Sequence, residues 1–151
     1  MSALAMGLIK KGCSVSGSDL VKNNETNKLE QLGAVIFTSQ VRQNIEFVIS
    51  EFSNKLINFV VSSAIKPENK EFSYCREKNL SIKHRSEILS MLMGTYTALA
   101  VAGSHGKTST STFLSTILEL CTKNSSSITG GIMPIYNSNC HLENTKYLVA
   151  E

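Results

Sequence analysis

The sequence predicts an α/β protein with parallel sheets, and three observations carry that prediction. Short apolar runs alternate with amphipathic stretches along most of the 151 residues, which is the pattern of strand–helix units with parallel strands. The segment Val101-Ala-Gly-Ser-His-Gly-Lys-Thr-Ser-Thr110 sets two glycines and a Lys-Thr pair between an apolar run and a helical repeat. Lys146-Tyr-Leu-Val-Ala-Glu151 reads as a buried strand with a carboxylate at its C-terminal end. In open α/β sheets, ligands bind at that edge.

Taken in order, residues 1 to 11 read as a helix with Ala3, Leu4, Leu8 and Ile9 on one face and Gly12 as its stop. Val15 to Ser18 is a short strand ending at Asp19, followed by a helix from Glu25 to Leu32 that Gly33 ends. Ala34 to Thr38 is a second strand. Ile57 to Ser62 is a third, apolar enough to be buried on both faces. Between them, the poorly periodic stretch from Arg42 to Lys55 reads as a short helix with loops. Pro67 fits the first turn of a helix that carries Phe72 and Cys75. Leu80 to His84 is a strand, and Ser86 caps a helix with Ile88, Leu89, Leu92 and Met93 as its apolar positions. Gly94-Thr95-Tyr96 breaks that helix and sets a domain boundary. Beyond it, Ala98 to Ala102 reads as a buried strand. Thr110, Phe113, Leu114, Ile117, Leu118 and Cys121 recur at the spacing of a helical face. Ser125-Ser126-Ser127 reads as a loop.

Composition narrows the function classes. A hydrophobic fraction of 42% and a charged fraction of 18% are those of an ordinary globular chain. No apolar run approaches the roughly 20 residues that cross a bilayer, and no signal peptide is apparent, so a cytoplasmic protein without a membrane partner is expected. The net charge of +3 is scattered, which gives no reason to expect a nucleic-acid partner. Cys13, Cys75, Cys121 and Cys140 form no C-x-x-C pair and read as reduced thiols.

The glycine loop points to nucleotide phosphates. Gly103 and Gly106 allow a tight turn and close approach of backbone to an anion. Free N–H groups of the loop and first helical turn face that anion, with the helix dipole behind them. Lys107 supplies a mobile charge for the outer phosphates, and the Thr108 hydroxyl suits a magnesium ion. Val101 stands where the strict G-x-x-x-x-G-K-[ST] pattern has its first glycine, so the loop is the shorter G-x-x-G-K-T.

Ala102-Gly-Ser-His-Gly-Lys-Thr-Ser-Thr110 resembles the ATP loop A-G-T-H-G-K-T-T-T of the Mur ligases, with Ser104 and Ser109 in place of threonines. Ser16-Gly-Ser-Asp19 and Val61-Ser-Ser-Ala-Ile65 resemble segments of the first domain of that family. Met1-Ser-Ala-Leu-Ala5 is similar to the continuation of its glycine-rich start, and Leu148-Val-Ala-Glu151 to the opening of its (I/V)-A-E-A-D-E-S-D segment. The resemblance spans the chain in order and spacing, but only about the first third of such a ligase.

It implies a Rossmann-like, parallel-sheet UDP-sugar-binding domain over residues 1–95, its first strand missing. The start of a P-loop ATPase-type α/β domain would follow over residues 96–151. It also implies an ATP-dependent carboxylate–amine ligation in peptidoglycan precursor synthesis, with UDP-N-acetylmuramate, L-alanine and ATP as substrates and Mg²⁺ as cofactor. By the same resemblance Gly103, Ser104, His105, Gly106, Lys107, Thr108 and Ser109 cradle ATP, Lys107 being the catalytic charge. Thr108 and Glu151 hold the metal, while Asp19, Ser62 and Ser63 hold the UDP-sugar. Read from the residues alone, Asp19 serves equally as a capping residue, Ser62 and Ser63 as turn residues, and His105 as a fixer of loop geometry. Gly130-Gly131 resembles a substrate-side turn or is an ordinary loop; His84 and Arg85 face a cleft or solvent. The chain reads as a fragment, inactive alone. The alternatives are the tripeptide-recycling member of the family, another phosphate-loop enzyme and a non-catalytic nucleotide-binding module.

Overall fold

The computed structural model describes residues 1–122 and 124–151. The first elements are α1 (Ser2–Lys10), β1 (Ser16–Ser18), α2 (Asn24–Gln31), β2 (Val35–Phe37), α3 (Arg42–Glu51), β3 (Phe59–Val61) and α4 (Lys70–Glu77). They are followed by β4 (Ile82–His84), α5 (Arg85–Met93), β5 (Thr97–Ala100), α6 (Lys107–Thr122), β6 (Ser126–Met133), β7 (Ser138–His141) and β8 (Tyr147–Ala150). The chain divides into two compact units, one of Met1 with Ser14–Ile88 and one of Ser2–Cys13 with Leu89–Glu151.

In the first unit β1 pairs in parallel with β2, and β3 with β4. These are two separate pairs rather than the single parallel sheet expected. Local sequence explains the helix ends. Asn23 accepts hydrogen bonds from the N–H groups of Glu25 and Thr26, both at 3.0 Å, while Thr26 Oγ1 accepts from the Asn23 N–H at 2.9 Å. That reciprocal box satisfies donors a helix start leaves orphaned. Gly33, at φ +91°, ends the turn after α2. α4 begins at Lys70, so Pro67 lies ahead of its first turn, and Asn69 caps the helix, accepting from Glu71 and Phe72 N–H at 3.0 Å. Nor does Ser86 cap α5: the helix begins one residue earlier, at Arg85. β3 is half-buried along its length instead of buried on both faces, because its one hydrogen-bonded neighbour is β4.

The second unit is a four-stranded sheet in the order β5-β8-β6-β7, with the first two pairings parallel and β6–β7 antiparallel. The expectation of parallel strands throughout fails at this hairpin. β5, read from sequence as buried, is the sheet's edge and mostly exposed. β8 is the centre, and Leu148 and Val149 are wholly buried. α1 packs on β6 and β7 of this unit, where a Cβ on Gly7 would lie 3.2 Å from the Leu142 side chain. The boundary placed after residue 95 therefore differs from the compact units, because the apolar face of α1 is buried against Ile128, Leu142 and Leu92.

Ser125, Ser126 and Ser127 are fully buried, and Ser126 and Ser127 open β6 rather than forming a loop. Each hydroxyl is satisfied: Ser125 Oγ donates to Glu119 Oε2 at 3.2 Å, Ser126 Oγ to the Glu143 carbonyl at 3.2 Å and Ser127 Oγ to Ser115 Oγ at 2.8 Å. Buried hydroxyls with partners cost little. The face of α6 turned to the sheet is the small one, with Ser111 and Ser115 fully buried. Phe113, Ile117 and Cys121 of the apolar stripe are exposed instead.

Candidate functional site

β5 delivers the chain to the glycine loop, and the Val101 N–H extends its pairing by donating to the Ala150 carbonyl at 2.8 Å. Gly103 at φ +156° and Gly106 at φ +74° take the backbone through a turn that favours glycine. The first helical bond of α6 runs from the Thr110 N–H to the Gly106 carbonyl, at 2.9 Å. Ala102 to Gly106 are exposed, as are Ser109 and Thr110, so the N–H groups ahead of that bond are accessible to an anion. Lys107 folds back over the loop, its ammonium donating to the Gly103 carbonyl at 2.8 Å and the Ser104 carbonyl at 3.5 Å. Ser104 and His105 lie at the exposed tip.

One turn into α6 the side chains converge on Glu151. Thr108 Oγ1 donates to Glu151 Oε1 at 2.8 Å, and the Gly130 N–H donates to the same oxygen at 2.7 Å. Ser111 Oγ donates to Oε2 at 3.1 Å. The Glu151 backbone is fixed as well, its N–H donating to the Ile128 carbonyl at 3.1 Å. Glycines make the approach possible. A Cβ on Gly130 would sit 2.6 Å from Glu151 Oε1, and one on Gly131 would sit 2.8 Å from Thr108 Cγ2. The glycine pair, expected as a substrate-side turn or an ordinary loop, lies within β6 instead; Ser111 was missed, its signal being the spacing of three from Thr108 on a helix.

A carboxylate and a hydroxyl held side by side suit magnesium, which takes few protein ligands and keeps water and phosphate oxygens for its other positions. No cluster of three or more His, Cys, Asp or Glu side chains that could cage a metal exists among the described residues. The Thr108–Glu151 pair therefore fits a phosphate-bound ion rather than a self-contained metal site.

Asp19, Ser62 and Ser63 belong to the first unit. Asp19 follows β1, and its Oδ1 accepts from the Val21 N–H at 3.1 Å, which is turn capping. Ser18 beside it donates to Glu71 Oε2 at 2.6 Å, and Glu71 Oε1 accepts from the buried Asn44 side chain at 2.7 Å. Glu71 thus anchors the turn that carries Asp19, a role nothing in the sequence marked. Ser62 and Ser63 leave the C-terminal end of β3 in a turn closed by the Ile65 N–H on the Ser62 carbonyl at 3.1 Å.

A glycine-rich loop between strand and helix, a lysine over it and a hydroxyl–carboxylate pair behind it give this α/β chain the architecture of a phosphate loop. The family model described as "Mur ligase family, catalytic domain" matches residues 1–97, and the chain belongs to the Mur ligase family. It is 69% identical over all 151 residues to a UDP-N-acetylmuramate–L-alanine ligase of Prochlorococcus marinus subsp. pastoris, and 41% identical to one of a Synechococcus species. In both cases it spans 32% of the relative's length.

Among solved structures, it matches the ligase for UDP-N-acetylmuramate and L-alanyl-γ-D-glutamyl-meso-diaminopimelate from Neisseria meningitides. That match has a TM-score of 0.88 at 22% identity, covering 100% of this chain and 48% of the other. The UDP-N-acetylmuramate–alanine ligase of Thermotoga maritima gives 0.81 at 23% identity, covering 99% and 34%. These likenesses speak to fold. No helix among the described residues is long and apolar enough to cross a membrane.

Proposed function

We propose that these residues form the nucleotide-binding front part of an ATP-dependent ligase that joins L-alanine to UDP-N-acetylmuramate in peptidoglycan precursor synthesis. The observation that carries the reading is the convergence of Thr108, Ser111 and the Gly130 N–H on Glu151, directly behind the loop that Lys107 covers. The identity of 69% to a ligase of that name supports the choice of reaction.

In this reading the loop N–H groups and Lys107 hold the phosphates of ATP, with Lys107 leaving its two carbonyl partners for phosphate oxygens. Thr108 and Glu151 would hold a magnesium ion, which would supply positive charge against the phosphates. The substrate carboxylate attacks the γ-phosphate and ADP departs. The amine of L-alanine then attacks the acyl phosphate, loses a proton and expels phosphate, leaving an amide. The protein's part is to hold the reacting groups in line and stabilise charge on the transferring phosphoryl group. Residues 1–95 would hold the UDP-sugar through Asp19, Ser62 and Ser63, and residues 96–151 would begin the ATP-binding domain.

The test is phosphate release by the full polypeptide carrying these residues. It is expected to require ATP, magnesium, UDP-N-acetylmuramate and L-alanine together. Release that proceeds with the diaminopimelate-containing tripeptide but not with L-alanine would reassign the reaction to the recycling type, and release independent of any UDP-sugar would overturn the reading.

A further inference from the structure

We infer that His84 is a positioning residue that turns the Ser63 hydroxyl into a hydrogen-bond donor for an oxygen of the nucleotide-sugar ligand. The inference rests on the proposed UDP-sugar reading of the first unit. β3 and β4 are parallel neighbours in the register Val61↔His84. The Ser62-Ser63 turn and His84 therefore leave the strand pair side by side at its C-terminal edge, where α/β proteins take ligands.

The His84 ring lies between two serines. Its Nε2 is 3.0 Å from Ser63 Oγ and its Nδ1 is 2.7 Å from Ser86 Oγ. A third contact decides where the ring proton sits. The Ser86 backbone N–H donates to Nδ1 at 3.3 Å, and a backbone N–H can only donate. Nδ1 therefore carries the lone pair and Nε2 the proton. Nε2–H donates to Ser63 Oγ, which leaves the single hydroxyl proton of exposed Ser63 for an acceptor outside the protein. The opposite tautomer would consume that proton on the ring and present only lone pairs to the ligand. The backbone holding the ring is itself tied, because the His84 N–H donates to Glu87 Oε1 at 2.7 Å.

Two amide variants separate orientation from mere structure. In His84→Gln the side-chain amide nitrogen falls near the position of Nε2 and still donates to Ser63. In His84→Asn the shorter amide mimics Nδ1 and does not reach. Binding of UDP-N-acetylmuramate to the full polypeptide, measured by calorimetry, is expected to stay near wild type in His84→Gln. It should weaken in His84→Asn and in Ser63→Ala by a similar factor, roughly 5- to 15-fold, which is one hydrogen bond's worth. The double variant His84→Asn/Ser63→Ala is expected to bind no more weakly than either single variant. Wild-type affinity in His84→Asn, or additive losses in the double variant, overturns the role of His84 alone. A wild-type protein that does not bind UDP-N-acetylmuramate overturns the UDP-sugar reading beneath it.

Discussion

Gly130→Ala is the most pointed perturbation of the carboxylate clamp. The added Cβ would lie 2.6 Å from Glu151 Oε1, so the carboxylate must retreat by roughly 0.8 Å to reach ordinary contact. Gly130 does not have a left-handed φ, and alanine therefore adds no backbone strain; the effect comes from the contact. The oxygen displaced is the acceptor of both the Gly130 N–H at 2.7 Å and the Thr108 hydroxyl at 2.8 Å. Holding the carboxylate off the position at which it would meet the ion removes one charged contact from the bound state, about 2 kcal/mol, or roughly 30-fold in an equilibrium constant. The assay is titration of the full polypeptide with a fluorescent ATP analogue, with and without magnesium. Gly130→Ala should bind about 30-fold more weakly with magnesium present and lose distinctly less without it. A folded variant with unchanged magnesium dependence would show that Glu151 does not hold the ion.

Three other outcomes follow from the geometry. Lys107→Met should lower ATP-dependent turnover by at least ~100-fold. Calorimetric stability should change by less than about 0.5 kcal/mol, since the ammonium touches only two carbonyls of an exposed loop. Acid stability should depend on Glu119. Burial pushes its carboxyl up, but hydrogen bonds from the Ser125 N–H, Tyr136 and the Ser125 hydroxyl outweigh this and hold its pKa below the ordinary glutamate value. That contribution is complete above the ordinary value and is lost as pH falls through the folded one. Glu119→Gln should flatten the acid side of a melting-temperature profile, and an unchanged profile would exclude the network. In thiol titration of the native protein, exposed Cys13 and Cys121 should react quickly. Buried Cys75 and Cys140, both pushed up to about 11 by burial, should wait for unfolding. Four equally fast thiols would contradict the cores described.

Much of the site was legible because its chemistry is local in sequence. Gly103, Gly106, Lys107 and Thr108 sit in one turn, and the geometry needs those residue types there. Glu151 stood out only through the family resemblance, since a carboxylate at the end of an apolar run carries no signal of its own. What stayed hidden depends on distant partners. The Ser125–Ser127 run carries no hydrophobic period, and its burial is explained only by Glu119, Glu143 and Ser115. The periodic stripe of α6 pointed to the wrong face, because the sheet admits the serine side instead. Helix α1 reads as amphipathic, but periodicity names no partner, and its partners prove to be β6 and β7. Glu71 of α4 carries no signal in the sequence, because its partners, Ser18 of β1 and Asn44 of α3, meet it only in the fold.

The sheet order has a consequence for how the site is calibrated. The loop leaves from β5 and Glu151 follows β8, and these are adjacent parallel strands paired Ala100↔Ala150. The separation between lysine loop and carboxylate is thus measured by a hydrogen-bond ladder rather than by loop conformation. A slip of one residue along that ladder would move Glu151 by about 3.3 Å and turn its side chain to the opposite face. Substitutions in β8 that loosen the register should therefore detune nucleotide binding before they unfold anything.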